Sequence, residues 1–336
     1  MSPIPVILRR AAAALVACLL ASAGSVTVAQ TLTAESRGKI EFAAPTFENT
    51  GGFYRNAPSR MDKASIDIRL PDGDGPFPAV IISHTVGGFK PEVEGEAMRR
   101  LLASGYAVGA LDHFGPRGVK EASGGGFTTA AAASDALIAL RILATHPRID
   151  PQRIAMIGFS MGGQATQNTA FEPIRKRFAG EARFAAHVSF YGPCSSVALD
   201  GARSLTGAPV LLLFGEKDET TTRERCDQIT ALVRGVQPEA SWRAIWYPGA
   251  YHAWNHPGFR NVKFLPHHRS TRACPLIDYG ASFGFIRADG SRQDFTPAVF
   301  NECLRAGAGY TTGYDAKVTE QSWRDALAFL DEHLKK

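Results

Sequence analysis

Short apolar runs alternate with segments of helical periodicity along most of this chain, and the alternation limits the folds that it can adopt. Residues 79–83 are a continuous apolar run, which is typical of a strand buried on both faces of a sheet. Residues 92–104 have helical spacing and end at Gly105, a typical C-cap. Strands that alternate with helices predict an α/β fold with a mostly parallel central sheet and helices on both faces.

The other predicted elements continue this pattern to the end of the chain. We expect further strands at residues 64–70, 106–111, 153–157, 185–190, 210–214 and 242–247. We expect further helices at residues 129–145, directly after residue 160, at 223–233 and at 320–335. The chain up to about residue 60 is predicted to be a polar leader, and residues 256–313 are predicted to be an irregular insertion before the last helix.

The amino terminus differs in composition from the rest of the chain. Two arginines precede a short apolar stretch, small residues follow as far as Ala29, and no acidic residue occurs before Glu35. This pattern predicts a signal peptide of residues 1–29, a single domain of residues 30–336, and export to the periplasm or the extracellular space. The apolar stretch is too short for a stable membrane span. Cys18 leaves a lipoprotein anchor open, and the arginine pair leaves twin-arginine export open.

Charge gives no reason to expect a nucleic-acid partner. The chain has a formal net charge of +5, and loss of the two arginines in residues 1–29 leaves +3. No run of basic residues accompanies this mild excess, whereas nucleic-acid-binding surfaces concentrate basic residues.

The four cysteines that follow the predicted signal peptide favour disulfides over a metal site. An even number in an oxidising compartment indicates two disulfides, for which three pairings are possible. We favour Cys194–Cys226 and Cys274–Cys303, which pair neighbours in the sequence. Four buried free thiols remain the alternative. Metal binding is not expected, because no Cys-x-x-Cys spacing accompanies these residues.

The motif with the clearest chemical meaning is Gly158-Phe159-Ser160-Met161-Gly162. An apolar strand precedes it and a helical pattern follows, so the serine is expected on a sharp turn that exposes its hydroxyl. The amino terminus of the helix favours negative charge that develops beside it. Ser160 is therefore predicted to be a nucleophile, and the alternative is a glycine-rich turn with an incidental serine.

A serine nucleophile needs a general base, and the base needs a carboxylate that orients it. Asp218 and His252 each follow a predicted strand, and they come after Ser160 in the chain order that α/β-hydrolases use. Glu216 lies closer to its strand end, and Asp227 falls on the following helix. We predict a catalytic triad of Ser160, Asp218 and His252.

Two backbone amides are expected to stabilise the oxyanion of such a reaction. One is the amide of Met161, directly after the nucleophile. The other comes from the loop after residues 79–83, where we favour the Val86 amide and keep Thr85 as the alternative. His84 is expected to organise this loop.

Taken together, the motifs resemble the dienelactone hydrolase family of the α/β-hydrolase superfamily. The resemblance covers roughly residues 60–255, and the closing residues 313–315 with the last helix look like secreted members of the family. It rests on the following segments: Ser83-His84-Thr85-Val86-Gly87-Gly88, Asp112-His113-Phe114-Gly115-Pro116-Arg117-Gly118, 146–154, 158–163, Phe190-Tyr191-Gly192-Pro193-Cys194, Gly215-Glu216-Lys217-Asp218 and Tyr247-Pro248-Gly249-Ala250-Tyr251-His252.

The resemblance implies an α/β-hydrolase fold and a small ester or lactone substrate, with no cofactor, metal or obligate protein partner. Two positions depart from the family pattern. Ser160 stands where the namesake enzymes carry a cysteine, and Thr85 replaces the glycine of the usual His-Gly pair. A serine hydroxyl is un-ionised at neutral pH and depends on His252 to take its proton. This shifts the expectation towards ordinary carboxylic esters.

Arg117 follows a strand at the side of the sheet where this fold builds its active site. It is a candidate to hold a substrate carboxylate, and the alternative is a structural ion pair with an acid such as Asp112. Other functions also stay open at this point. A peptidase or a thioesterase would use the same triad, and a non-catalytic exported binding protein would keep the fold alone.

Overall fold

The computed structural model describes residues 31–47, 49–123 and 127–335, so the predicted signal peptide of residues 1–29 lies outside the described residues. Within these ranges the chain forms fourteen strands, which are, in chain order, β1 (Gly38–Thr46), β2 (Arg60–Arg69), β3 (Phe77–Ser83), β4 (Ala107–Asp112), β5 (Ile149–Phe159), β6 (Ala186–Phe190), β7 (Ser196–Val197), β8 (Val210–Gly215), β9 (Trp242–Tyr247), β10 (Lys263–Arg269), β11 (Leu276–Asp278), β12 (Gly284–Ile286), β13 (Arg292–Asp294) and β14 (Ala308–Thr312).

Helices fill most of the connections between these strands. The same part of the chain contains eight α-helices, which are α1 (Thr50–Tyr54), α2 (Glu94–Ala103), α3 (Thr129–Leu143), α4 (Met161–Thr169), α5 (Glu172–Ala179), α6 (Arg223–Val236), α7 (Pro297–Ala306) and α8 (Ala316–Leu334). No helix in the described ranges is both long enough and apolar enough to cross a membrane.

Eight strands form the central sheet in the order β1-β2-β4-β3-β5-β6-β8-β9. The β1–β2 and β2–β4 pairs are antiparallel, and the other neighbouring pairs are parallel. β3, β5, β6 and β8 are parallel neighbours, so their carboxyl ends lie next to one another at one edge of the sheet. This is the α/β-hydrolase architecture that the sequence predicts.

Two apolar layers cover the faces of the sheet, which explains why its inner strands are continuous apolar runs. In β3, Ile81 packs into one layer, while Val80 and Ile82 pack into the other. The first layer includes residues of α3, α5 and α6, and the second includes residues of α2 and α8. The side chains of these strands are buried on both faces, as in other sheets with helices on both sides.

The prediction of a polar leader up to residue 60 is wrong. β1 pairs along its whole length with β2, and α1 follows it. β1 lies at the edge of the sheet, and exposed residues such as Lys39 and Glu41 alternate there with more buried ones. A strand of this kind exposes the side chains of one face to solvent, so its composition resembles that of a polar segment.

The segment 256–313 is more regular than predicted. β10 pairs with β14, and β11 to β13 form a small sheet with β7. The disulfide Cys274–Cys303 ties the start of β11 to α7 within this segment. A second disulfide, Cys194–Cys226, joins the loop after β6 to α6. Both bonds have the pairing that we favoured, whereas the extent of the domain and of the insertion stays a prediction.

Candidate active site

Ser160 occupies a strained turn between β5 and α4. Its backbone has φ +52° and ψ −110°, a region that residues other than glycine rarely adopt. The turn is tight because α4 packs directly on the loop that follows β3. A Cβ atom at Gly162 would collide with the carbonyl oxygen of Ser83 and would lie 2.8 Å from that of His84. Glycine is therefore required there, and the packing brings the amino terminus of α4 against the backbone of residues 83 and 84.

The structure brings the three predicted triad residues into one hydrogen-bonded row. Ser160 Oγ lies 2.9 Å from His252 Nε2, and His252 Nδ1 lies 2.8 Å from Asp218 Oδ2. The other oxygen of the carboxylate, Oδ1, accepts hydrogen bonds from the amide and the hydroxyl of Thr220 at 2.8 and 2.7 Å. Each of the three triad side chains is buried. This geometry allows a proton to pass from the serine to an imidazole held by a carboxylate.

Two tyrosines flank the His252 imidazole. The ring of Tyr191 lies 5.0 Å and that of Tyr310 lies 5.1 Å from the imidazole, centroid to centroid, and both meet it edge to face. Tyr191 follows β6, and its hydroxyl donates to Asn255. Tyr310 lies on β14 in the insertion. Thr312 of the same strand forms an isolated β-bridge with His252. Sequence reasoning missed Tyr310, because no local motif marks a residue that only the packing of the insertion brings to the site.

The backbone amides of the loop after β3 differ in their partners. The Thr85 amide donates to Glu94 Oε1 at 3.3 Å, so the alternative oxyanion donor already has an acceptor. The Val86 carbonyl accepts from the Ala122 amide at 2.8 Å, while the Val86 amide has no acceptor within the described residues. The Met161 amide opens α4, where the first amides of a helix have no partner of their own.

Arg117 lies in a buried ion pair. Its guanidinium binds both oxygens of Asp135 at 2.8 Å, and both side chains are almost completely buried. It also donates to the His113 carbonyl at 2.8 Å and to Thr46 Oγ1 at 3.1 Å. The ion pair that we gave as the alternative is thus the observed arrangement, with Asp135 in place of Asp112. The bidentate face of the guanidinium is occupied, and no substrate role is assigned to it here.

A second Ser-His-Asp row lies beside this ion pair. Ser83 Oγ is 2.9 Å from His113 Nε2, and His113 Nδ1 is 2.8 Å from Asp135 Oδ2. All three side chains have no exposed surface, so substrate cannot reach the Ser83 hydroxyl. Among the described residues, no group of three or more His, Cys, Asp and Glu side chains is arranged to hold a metal ion.

Replacing Arg117 with methionine should leave the Asp135 carboxylate buried beside His113 without its cationic partner. Removal of one member of a buried pair typically costs about 3–5 kcal/mol. Urea unfolding at pH 7 should show a loss of this size for Arg117→Met. The matched control is Arg69→Met, which removes an exposed ion pair with Asp67 and should cost less than about 1 kcal/mol. Equal losses in the two variants would contradict a structural role for the buried pair.

Glu94 should make stability depend on pH in the opposite sense to an ordinary surface carboxylate. Burial raises its pKa from 4.5 to about 7, although the Lys90 and Thr85 amides donate to it. The folded state therefore keeps a proton that the unfolded state releases. The stabilisation is complete below pH 4.5 and is lost as pH rises to about 7, by up to about 3 kcal/mol. Urea unfolding between pH 4.5 and 8 should show a flatter profile for Glu94→Gln than for wild type. Identical slopes would exclude this contribution.

The model of the dienelactone hydrolase family matches residues 67–334. A dienelactone hydrolase-like promiscuous phosphotriesterase from metagenomic libraries is 18% identical, with a TM-score of 0.53 over 88% of this chain and 99% of that one. An α/β hydrolase from a Medee basin deep-sea metagenome library is 15% identical, with a TM-score of 0.50 over 90% and 100% of the two chains.

At these identities, the likeness to solved structures shows the fold alone. No curated protein matches the chain. The family model, in contrast, spans most of the sequence, and its matched range includes Ser160, Asp218 and His252. This chain belongs to the dienelactone hydrolase family.

Proposed function

We propose that this chain is an exported serine hydrolase that cleaves carboxylic esters or lactones through an acyl-enzyme. The observation that carries the proposal is the row Ser160–His252–Asp218, with hydrogen-bond distances of 2.9 and 2.8 Å on a strained nucleophile turn. The backbone strain, of the order of 1–3 kcal/mol, is typical of a functional site.

The mechanism follows from the order of these contacts. With the Nδ1 proton directed to Asp218, His252 Nε2 accepts the Ser160 proton as the hydroxyl oxygen attacks the substrate carbonyl. The Met161 and Val86 amides donate to the oxyanion. The imidazolium then gives its proton to the departing alcohol or ring oxygen, which leaves an acyl-serine. Water attacks this acyl group with the same histidine as base, and Ser160 is released.

The surroundings of His252 suit this cycle. The imidazole becomes cationic in the tetrahedral intermediate, and the buried Asp218 carboxylate lies in direct contact with it. Two tyrosine rings pack against the imidazole, so its rotational freedom is lost during folding and not during the reaction. A serine, which is un-ionised at neutral pH, needs such a pre-oriented base more than a cysteine does.

Export is supported by the predicted signal peptide together with the two disulfides. The first disulfide links the loop that follows Tyr191 to α6, which begins just after the Asp218 loop. The second lies within the insertion that supplies Tyr310. Both crosslinks therefore brace segments that contribute residues to the site, which is useful to an enzyme that works outside the cell.

Ser160→Ala should lower kcat for an ester by several orders of magnitude, because the covalent step is lost. A fluorophosphonate probe followed by peptide mass mapping should label Ser160 in the wild-type chain and nothing in Ser160→Ala. Ser83, which also contacts a His-Asp pair but is inaccessible, should stay unlabelled in both. Retained ester hydrolysis in Ser160→Ala would contradict the assignment of Ser160 as the nucleophile. Failure of the folded wild-type chain to react with the probe would favour a non-catalytic binding protein.

A substrate panel should separate the proposed activity from the alternatives that share the triad. We expect kcat/KM to be highest for carboxylic esters or lactones, the substrates that membership of the family favours. The triad chemistry is common to all acyl substrates, so the pocket decides between them. Thioesters and peptide amides of matched acyl groups are the comparison. A preference of more than about tenfold for either class would reassign the chain as a thioesterase or a peptidase.

A further inference from the structure

The peptide between Thr85 and Val86 is held by buried groups on its carbonyl side. The Thr85 carbonyl oxygen lies 2.7 Å from His84 Nδ1, and the Gly88 amide also donates to it at 3.1 Å. On the other side of the same residue, the Thr85 amide donates to the buried Glu94 carboxyl group. Both peptide groups that flank Thr85 are therefore fixed, one by the Glu94 side chain of α2 and the other by the His84 side chain and the Gly88 amide.

Fixing that carbonyl also fixes the direction of the Val86 amide. A peptide group is planar and trans, so its C=O and N–H bonds point in opposite directions. When His84 and Gly88 bind the Thr85 oxygen, the Val86 N–H must point away from them. This amide has no acceptor within the described residues, and α4 packs against the carbonyls of residues 83 and 84 next to it.

The tautomer of His84 is set by its second nitrogen. His84 Nε2 lies 3.1 Å from the backbone amide of His113, which can only donate, so Nε2 accepts and Nδ1 carries the proton. His84 has no exposed surface, and burial beside His113 lowers its pKa to about 3. The ring is therefore neutral at working pH and donates from Nδ1 to the Thr85 oxygen.

The group that holds His84 is itself rigid. The His113 side chain is fixed between Ser83 and Asp135, and Asp135 is bound by Arg117. Hydrogen bonds fix the His113 side chain to Asp135, and the backbone amide of the same residue donates to His84. The Arg117–Asp135 ion pair thus supports His84, and through it the Thr85 carbonyl, by way of His113.

We propose that His84 is a positioning residue for hydrolysis: its Nδ1–H holds the Thr85 carbonyl so that the Val86 amide faces the developing oxyanion. The inference rests on the proposed function. It gives a role to His84, which is not part of the triad. It also explains how the Val86 amide keeps a defined direction in a loop that has Thr85 in place of the family's glycine. His84 acts through the backbone and does not touch the substrate.

Two substitutions separate the two hydrogen bonds of His84. In His84→Asn the side-chain NH₂ lies near the position of Nδ1 and can still donate to the Thr85 oxygen, while the acceptor for His113 is lost. In His84→Gln the amide oxygen can accept from His113, while the donor to Thr85 is lost. Both variants remove the same ring and keep a polar amide, so each is a control for the other.

The measurement is steady-state hydrolysis of one chromogenic ester and of the thionoester in which sulfur replaces its carbonyl oxygen. Loss of an oxyanion donor typically lowers kcat by about 10²–10³-fold, so His84→Gln should lose about 10²-fold in kcat with little change in KM. His84→Asn should stay within about tenfold of wild type. The preference for ester over thionoester should fall in His84→Gln, because sulfur accepts hydrogen bonds poorly and gains little from the second amide. The pH–rate profile should keep its wild-type shape in both variants.

Either of two results would overturn the proposal: equal losses in the two variants, or a thionoester preference that does not change when kcat falls. If His84→Gln does not unfold cooperatively in urea, His84→Leu, which lacks both bonds, replaces it against His84→Asn with the same expectations. Failure of the proposed function gives a different pattern, since Ser160 would then not label and the wild-type chain would not cleave the ester.

Discussion

The contact of α4 with the end of β3 is the constraint on which the rest of the site depends. Gly162 leaves no room for a side chain against the Ser83 carbonyl, and this close approach is possible because Ser160 accepts a left-handed φ of +52°. One consequence is that the Ser160 hydroxyl does not cap the helix that follows it and contacts His252 instead. The other is that the first amide of α4 and the loop after β3 become neighbours. One packing contact thus positions both the proposed nucleophile and the proposed oxyanion donors.

The parallel strands of the sheet bring Tyr191, Asp218 and His252 to the same place as Ser160. β5, β6 and β8 are parallel neighbours, so Ser160, Tyr191 and Asp218 leave the sheet at the same edge. His252 follows β9, which is parallel to β8, and its loop returns to reach both Asp218 and Ser160. Residues separated by more than ninety positions in the sequence therefore meet because parallel strands end together.

The features that sequence predicts well are those carried by local patterns. The buried strands, the turn at Ser160 and the order of acid and histidine all depend on short segments whose physics is local, and their bounds are close to those of the structure. β1 was missed because an edge strand exposes one side. Tyr310, Glu94 and Asp135 carry no motif, since each reaches the site or its supports through packing between segments that are distant in the chain. Asp135 in particular lies in an alanine-rich helix, where nothing indicates a buried charge until Arg117 is placed against it.

The two Ser-His-Asp rows show why residue identity and distance are not sufficient to define a catalytic site. Ser83–His113–Asp135 has the same atoms and nearly the same spacing as Ser160–His252–Asp218. Ser83, however, ends an ordinary strand and has no exposed surface. The carboxylate of this row, Asp135, is already neutralised by Arg117. The charge that would stabilise an imidazolium is therefore committed to an ion pair, and no acyl group can approach the hydroxyl. In the row at the strained turn Ser160 keeps 7% of its surface exposed, and no Lys or Arg of the described residues pairs with Asp218. The fully buried row is instead rigid, which suits it to support the neighbouring loop.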